Sequence, residues 1–213
     1  MCLAVAVPLA VLMAACSPGA SPASGPPGGQ ARGTERRESQ RTLVVAGGRA
    51  PESLAAKPLR EVGGAGTPRT ALRAFNAALV IHDERELPRP YLAEALPQLN
   101  TEGWRVDAAG AMETTYRLRQ SLTWHDGAPL GADDFVFAWR VYATPEMGLA
   151  ASVPITYIQD VTAPDDRTVV IRWRQPYAGA GGLQGKELPP LPRHILEAPF
   201  AEREADAFVA LPF

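Results

Sequence analysis

Apolar and polar positions along this chain sort into runs that predict its elements. Leu3–Ala15 is apolar and uncharged. It is shorter than the roughly 20 residues a membrane span needs, and has the length of a signal-peptide hydrophobic region. Thr42–Ala46 is a short apolar run stopped by Gly47-Gly48 and predicts a buried strand. Leu72, Phe75, Ala78 and Leu79 recur at helical spacing and predict a helix within Arg69–Ile81, while Tyr91–Leu99, after Pro88 and Pro90, predicts a short helix or turn. Two hairpins follow. Trp104–Val106 and Glu113–Leu118 flank Asp107-Ala108-Ala109-Gly110, and Thr114, Tyr116 and Leu118 alternate with Thr115, Arg117 and Arg119, one face buried and one wet. Tyr157–Thr162 and Thr168–Trp173 flank Ala163-Pro164-Asp165-Asp166, a type I turn sequence. Between them a helix is predicted, with Asp133 and Asp134 in its first turn, a stripe of Phe135, Ala138, Trp139 and Tyr142, and a stop at Pro145. The stripe reads as a face packed on a sheet rather than a ligand platform.

Charge narrows the possible partners. The chain has 213 residues, with 21 Lys plus Arg against 23 Asp plus Glu. That balance argues against nucleic acid, which normally meets a basic stripe. The two cysteines, Cys2 and Cys16, have no metal-ligand neighbours. Leu12-Met13-Ala14-Ala15-Cys16 looks like a bacterial lipobox, although no Lys or Arg precedes the apolar run, which places the expected start a few codons upstream. On this reading residues 1–15 are a lipoprotein signal peptide and Cys16 carries lipid. Residues 16–41, rich in Ser, Pro and Gly and then in charge, are expected to be a disordered tether, and the folded part runs over 42–213.

No motif supports an enzyme. His82, His125 and His194 are scattered singly; there is no metalloprotease, nucleophile-elbow or P-loop pattern, and the Gly63–Gly66 cluster reads as loop. In Trp124-His125-Asp126-Gly127, Asp-Gly is a turn pair with Gly free to take positive φ. Trp124 is expected to be a buried anchor beneath it, and Asp126 a cap on local N–H groups. The segment reads as a structural corner rather than an active site.

Three separated motifs carry a resemblance. Leu118-Arg119, Trp124-His125-Asp126-Gly127-Ala128-Pro129 and Ala132-Asp133-Asp134-Phe135 form one; Pro90–Leu96 lies upstream and Leu191-Pro192-Arg193-His194-Ile195-Leu196 downstream. In this order they resemble the bacterial extracellular solute-binding proteins of family 5, with Gly131 where the family often has an N-cap Thr. The resemblance implies an α/β fold of the type II periplasmic-binding kind, with a mixed sheet, flanking helices and an incomplete first lobe. It implies a monomeric, non-enzymatic binding subunit of an ABC importer, with no cofactor or metal. Such a subunit captures peptides or similar small polar solutes outside the membrane, delivers them to a permease, and touches the membrane only through its lipid. A sensor module on the same fold is the alternative. The chain is much shorter than the family, so a fragment without the second lobe is expected, binding solute weakly and exposing an apolar face. Rim contacts are placed by chain order alone: Glu61, beside Arg60 and Val62, to meet a peptide amine, and Met147, between Glu146 and Gly148.

Overall fold

The computed structural model describes Val44, residues 74–147, 149–202 and 204–211. Contacts divide the chain into Met1–Ala46 and Gly47–Phe213, and the architecture below is that of the second unit. Of the strand expected over Thr42–Ala46 only Val44 is described; it is 82% exposed and not in a strand. An apolar run makes a strand only where a partner takes up its hydrogen bonds, which pattern alone does not supply.

The helix expected to run to Ile81 is cut short. Ala74 and Phe75 are helical, but β1 (Val80–His82) pairs antiparallel with β2 (Pro88–Pro90). Spacing of Leu72, Phe75, Ala78 and Leu79 fits a helix, yet Leu79 and Val80 are buried as a short apolar run ending in a β-branched pair. Asp83 closes the connection, its Oδ1 accepting from the N–H groups of Arg85 (2.9 Å) and Leu87 (3.0 Å). Tyr91–Leu99 is turn and isolated bridge, not helix. Its N–H groups bond across to Ala78 and Leu79 carbonyls instead of up its own chain.

The main sheet comprises β3 (Trp104–Val106), β4 (Met112–Arg117), β5 (Ile158–Asp165) and β6 (Thr168–Trp173), all antiparallel in the order β3-β4-β6-β5. Alternation sorted its faces as expected. Met112, Thr114 and Tyr116 on β4 and Val169, Ile171 and Trp173 on β6 are buried, while Glu113 and Arg172 pair across the other face at 3.3 Å. The β5–β6 turn lies two residues later than predicted: the strand continues through Pro164 and Asp165, and the turn is Asp166-Arg167. Pro164 is tolerated because β5 is an edge strand with a register shift between Thr162 and Asp165. Asp165 then caps the turn, accepting from the Arg167 N–H and the Thr168 hydroxyl, both at 2.9 Å.

α1 (Ala132–Tyr142) packs on β5 and β6, burying Phe135, Phe137, Ala138, Val141 and Tyr142. Fully burying each large side chain contributes about 1.5–3 kcal/mol. Trp139 packs against the same core. α2 (Arg193–Glu202) lies on α1, and α3 (Ala205–Val209) follows it. Ala178–Gly181 forms a 3₁₀ turn between β6 and α2. Several polar groups are satisfied across the core, whereas the indole N–H groups of Trp104 and Trp139 are buried with no hydrogen-bond partner among the described residues. Tyr116 donates to Ala180 O, Tyr142 to Pro189 O at 3.0 Å, and Trp173 Nε1 to Thr114 Oγ1 at 3.0 Å. Thr114→Val keeps the shape but leaves the Trp173 N–H without an acceptor. It should lower stability by about 1–3 kcal/mol; an unchanged urea midpoint would rule that out.

Candidate functional site

The signature residues meet at one corner, between the start of α1 and the start of α2. The Trp124–Pro129 loop is a tight turn: Trp124 N–H donates to Ala128 O (2.8 Å) and Gly127 N–H to Trp124 O (3.0 Å). Asp126 Oδ1 accepts from Ala128 N–H at 3.0 Å, the expected local cap, and Gly127 takes φ +87° as the turn requires. His125 and Pro129 are exposed. Trp124 is only half-buried, a departure from the anchor expected, because its indole edge faces a carboxylate and its ring borders a cavity.

That carboxylate is Asp134. It is 6% exposed and accepts three hydrogen bonds: from Trp124 Nε1 (3.2 Å), Gly131 N–H (2.9 Å) and Arg193 N–H (3.0 Å). Gly131 is the N-cap, extended at φ −132°, and has no side chain to cap with, so Asp134 caps the helix from its third position. A Cβ at Gly131 would sit 3.1 Å from Asp166 O, and this crowding suits glycine where the family often has Thr. The neighbouring Asp133 is exposed and lies 3.6 Å from the Arg193 guanidinium.

A second bond closes the corner. His194 Nε2 donates to Asp126 Oδ2 at 2.8 Å, joining two motifs 68 residues apart. The His194 hydrogen bond first, and then that from the Ala128 N–H, hold the Asp126 carboxyl below its ordinary range. Leu118 is buried, and Arg119 Nε donates to Tyr91 O at 2.7 Å, fastening the Pro90–Leu96 segment. Arg167 donates to Leu118 O (3.0 and 2.7 Å) and pairs with Glu94. Sequence reasoning missed these long-range pairs, which no local spacing signals. Asp134 was expected only to complement the helix dipole; the signal for its capping role is an acid three residues after the N-cap Gly131.

Of the expected rim contacts, Met147 is corrected: at 3% exposure it is core, closing the 3₁₀ turn Pro145–Met147. Its apolar side chain follows the burial of α1, which chain order did not reveal. Glu61, Val62, Gly148 and Cys16, with the signal peptide, the tether and the Gly63–Gly66 cluster, lie outside the described residues. A cavity of about 430 Å³ opens on the corner itself, bordered by Arg119, Asp133, Arg193 and His194, and two others lie beyond it. One, of about 220 Å³, is apolar and bounded by Phe75, Leu92, Trp124, Pro192 and Ile195. The other, of about 450 Å³, lies away from the corner, between the β1–β2 hairpin, β3 and the Ala178–Gly181 turn. Among the described residues no group of three or more His, Cys, Asp or Glu is placed to hold a metal ion, and no helix is long and apolar enough to cross a membrane.

Two outcomes follow for the corner. Asp134→Ala strands three donors and should destabilise by about 3 kcal/mol or more in urea unfolding; a loss below about 1 kcal/mol would remove Asp134 from this role. The carboxyls of Asp83, Asp126 and Asp165 are all held below 3.8, mainly by hydrogen bonds from Leu87 N–H, His194 and Arg167 N–H respectively. A depressed folded pKa gives stability that is present above the unfolded value and lost as pH falls through the folded one. Thermal midpoints should therefore fall with acid below 3.8, and Asp126→Asn should flatten that limb. An identical slope in the variant would contradict this.

Comparison with known proteins agrees with this geometry. The family model described as bacterial extracellular solute-binding proteins, family 5 Middle, matches residues 90–210. A probable peptide ABC transporter periplasmic-binding protein of Sinorhizobium fredii is 32% identical over 93 residues, covering 44% of this chain and 15% of the relative. Protein XP55 of Streptomyces lividans is 29% identical over 163 residues, covering 76% of this chain and 26% of the relative. The crystal structure of an oligopeptide binding protein from Thermus thermophilus, complexed with a pentapeptide, superposes with TM-score 0.58 at 20% identity, over 76% of this chain and 27% of that one. It shares the fold, and the type II periplasmic-binding architecture expected from sequence is found. The chain thus spans about a quarter or less of the length of these relatives. With more than half of its residues matched by the family model, the chain belongs to the family 5 bacterial extracellular solute-binding proteins.

Proposed function

We propose that this chain serves in the substrate-binding subunit of a bacterial ABC importer, and that the solute is a peptide or a similar small polar molecule. The observation that carries the reading is the family match over residues 90–210, which spans the corner where the motifs meet. The peptide assignment is supported by the relative from Sinorhizobium fredii, described as a probable peptide-binding protein, and by the pentapeptide complex of the Thermus protein. Binding proteins of this kind work by closing two lobes about a hinge. No bond is made or broken, so affinity and docking are the whole task. Glu61 and Val62 remain the proposed rim contacts, with Glu61 facing a peptide amine. Cys16 is the proposed lipid anchor, holding the protein on the outer side of the cytoplasmic membrane or in the periplasm; more than one acyl chain makes such anchoring stable.

Two measurements test this. In a peptide-uptake mutant, the gene expressed together with its permease should restore growth on an essential amino acid supplied only as a short peptide; failure with the protein present would sink the transport reading. Cys16→Ala should move the protein from the membrane to the soluble fraction. If it stays with the membrane, the lipid assignment is wrong.

A further inference from the structure

The 450 Å³ cavity is of ordinary small-molecule size and carries unspent polar capacity. Trp104, Tyr177, Gln98, Gln184 and Glu187 line it, with His82 the one titratable base and no Lys or Arg among the lining residues. Trp104 is half-buried and borders the space with its ring, its Nε1–H being enclosed by protein. Glu187 is half-buried; it accepts from the Gln184 N–H, and no cation stands within ion-pair distance of it among the described residues.

The walls are held in place. A Cβ at Gly181 would lie 2.9 Å from Trp104 Cζ3, so the absent side chain is what lets the indole lie against the loop. The Tyr177 ring is packed by Trp173 (ring centroids 5.2 Å apart) and Tyr157 (5.9 Å). Burial, and after it the negative charge of Glu187, raises the Tyr177 phenol, which agrees with the two facing one space. Two aromatic rings beside an uncompensated carboxylate suit a cation through ring quadrupole and charge together.

We propose that this cavity binds a cationic group, an ammonium or guanidinium on an apolar stem. Glu187 supplies the counter-charge, and Trp104 and Tyr177 the walls. All of these groups come from the described residues of this chain, so the site needs no second lobe and does not rest on the transport reading. The cation could belong to a free amine or to a basic peptide side chain.

Titration calorimetry on the full chain separates these sources, using cadaverine, Ala-Lys-Ala and its neutral isostere Ala-norleucine-Ala. Ala-Lys-Ala should bind about tenfold more tightly than the norleucine peptide. Glu187→Gln should erase that difference while leaving the norleucine peptide and the thermal midpoint unchanged. Trp104→Leu removes one aromatic wall and should weaken both cadaverine and Ala-Lys-Ala. Binding of cadaverine without Ala-Lys-Ala would support the site with free amines as its ligand. Equal affinity for the two peptides, an unchanged preference in Glu187→Gln, or no binding of any probe would overturn the proposal. None of these would touch the uptake result, which is read in cells with the permease.

Discussion

One buried carboxylate organises the corner on which the rest of this fold is hung. Asp134 is nearly removed from water, and an isolated charge there would be strongly unfavourable. It persists because three N–H groups converge on its two oxygens, from the Trp124 ring, the Gly131 backbone and the Arg193 backbone. Its place in the first turn of α1 adds the favourable end of the helix dipole. Each donor comes from a different segment: the loop before α1, the N-cap of α1 and the first residue of α2. The carboxylate therefore sets where α1 begins, how the loop folds over it and how α2 approaches.

The remaining motif contacts extend the same logic outward. Arg119 bonds to Tyr91 O, Arg167 pairs with Glu94, and His194 bonds to Asp126. Each ties a segment already fixed near Asp134 to one distant in sequence. Ala132 N–H donates to Asp166 O at 2.8 Å, so the β5–β6 turn is joined to the helix start as well. Exposed ion pairs such as Arg172–Glu113 contribute little by comparison, because solvent screens them.

What sequence made legible follows from how local each signal is. Alternation in β4, the stripe of α1 and the Asp-Gly turn each depend on neighbours a few residues away, and they stand where expected. The strand at Val80–His82 did not, because a short apolar run fits a helix turn or a strand equally until its partner is known. Pro164 misplaced a turn because its tolerance depends on β5 being an edge, a property of the whole sheet. Met147 misled for the same reason, since chain order placed it on a rim and packing placed it in the core. The motifs themselves were legible, yet not that His194 reaches Asp126, as nothing near either residue specifies the other.

The motif corner and the aromatic cavity differ in one respect that bears on recognition. At the corner the main polar groups are matched internally: the Trp124 N–H, both Asp134 oxygens and the Asp126–His194 pair have partners. A group already satisfied gains little by exchanging its partner for a ligand. At the aromatic cavity Glu187 has no Lys or Arg among the lining residues to match its charge. Residues that make the family recognisable are thus those whose hydrogen bonding is spent on the scaffold. The groups proposed to hold a cation, Trp104, Tyr177 and Glu187, lie outside every motif, where composition could change without loosening the corner.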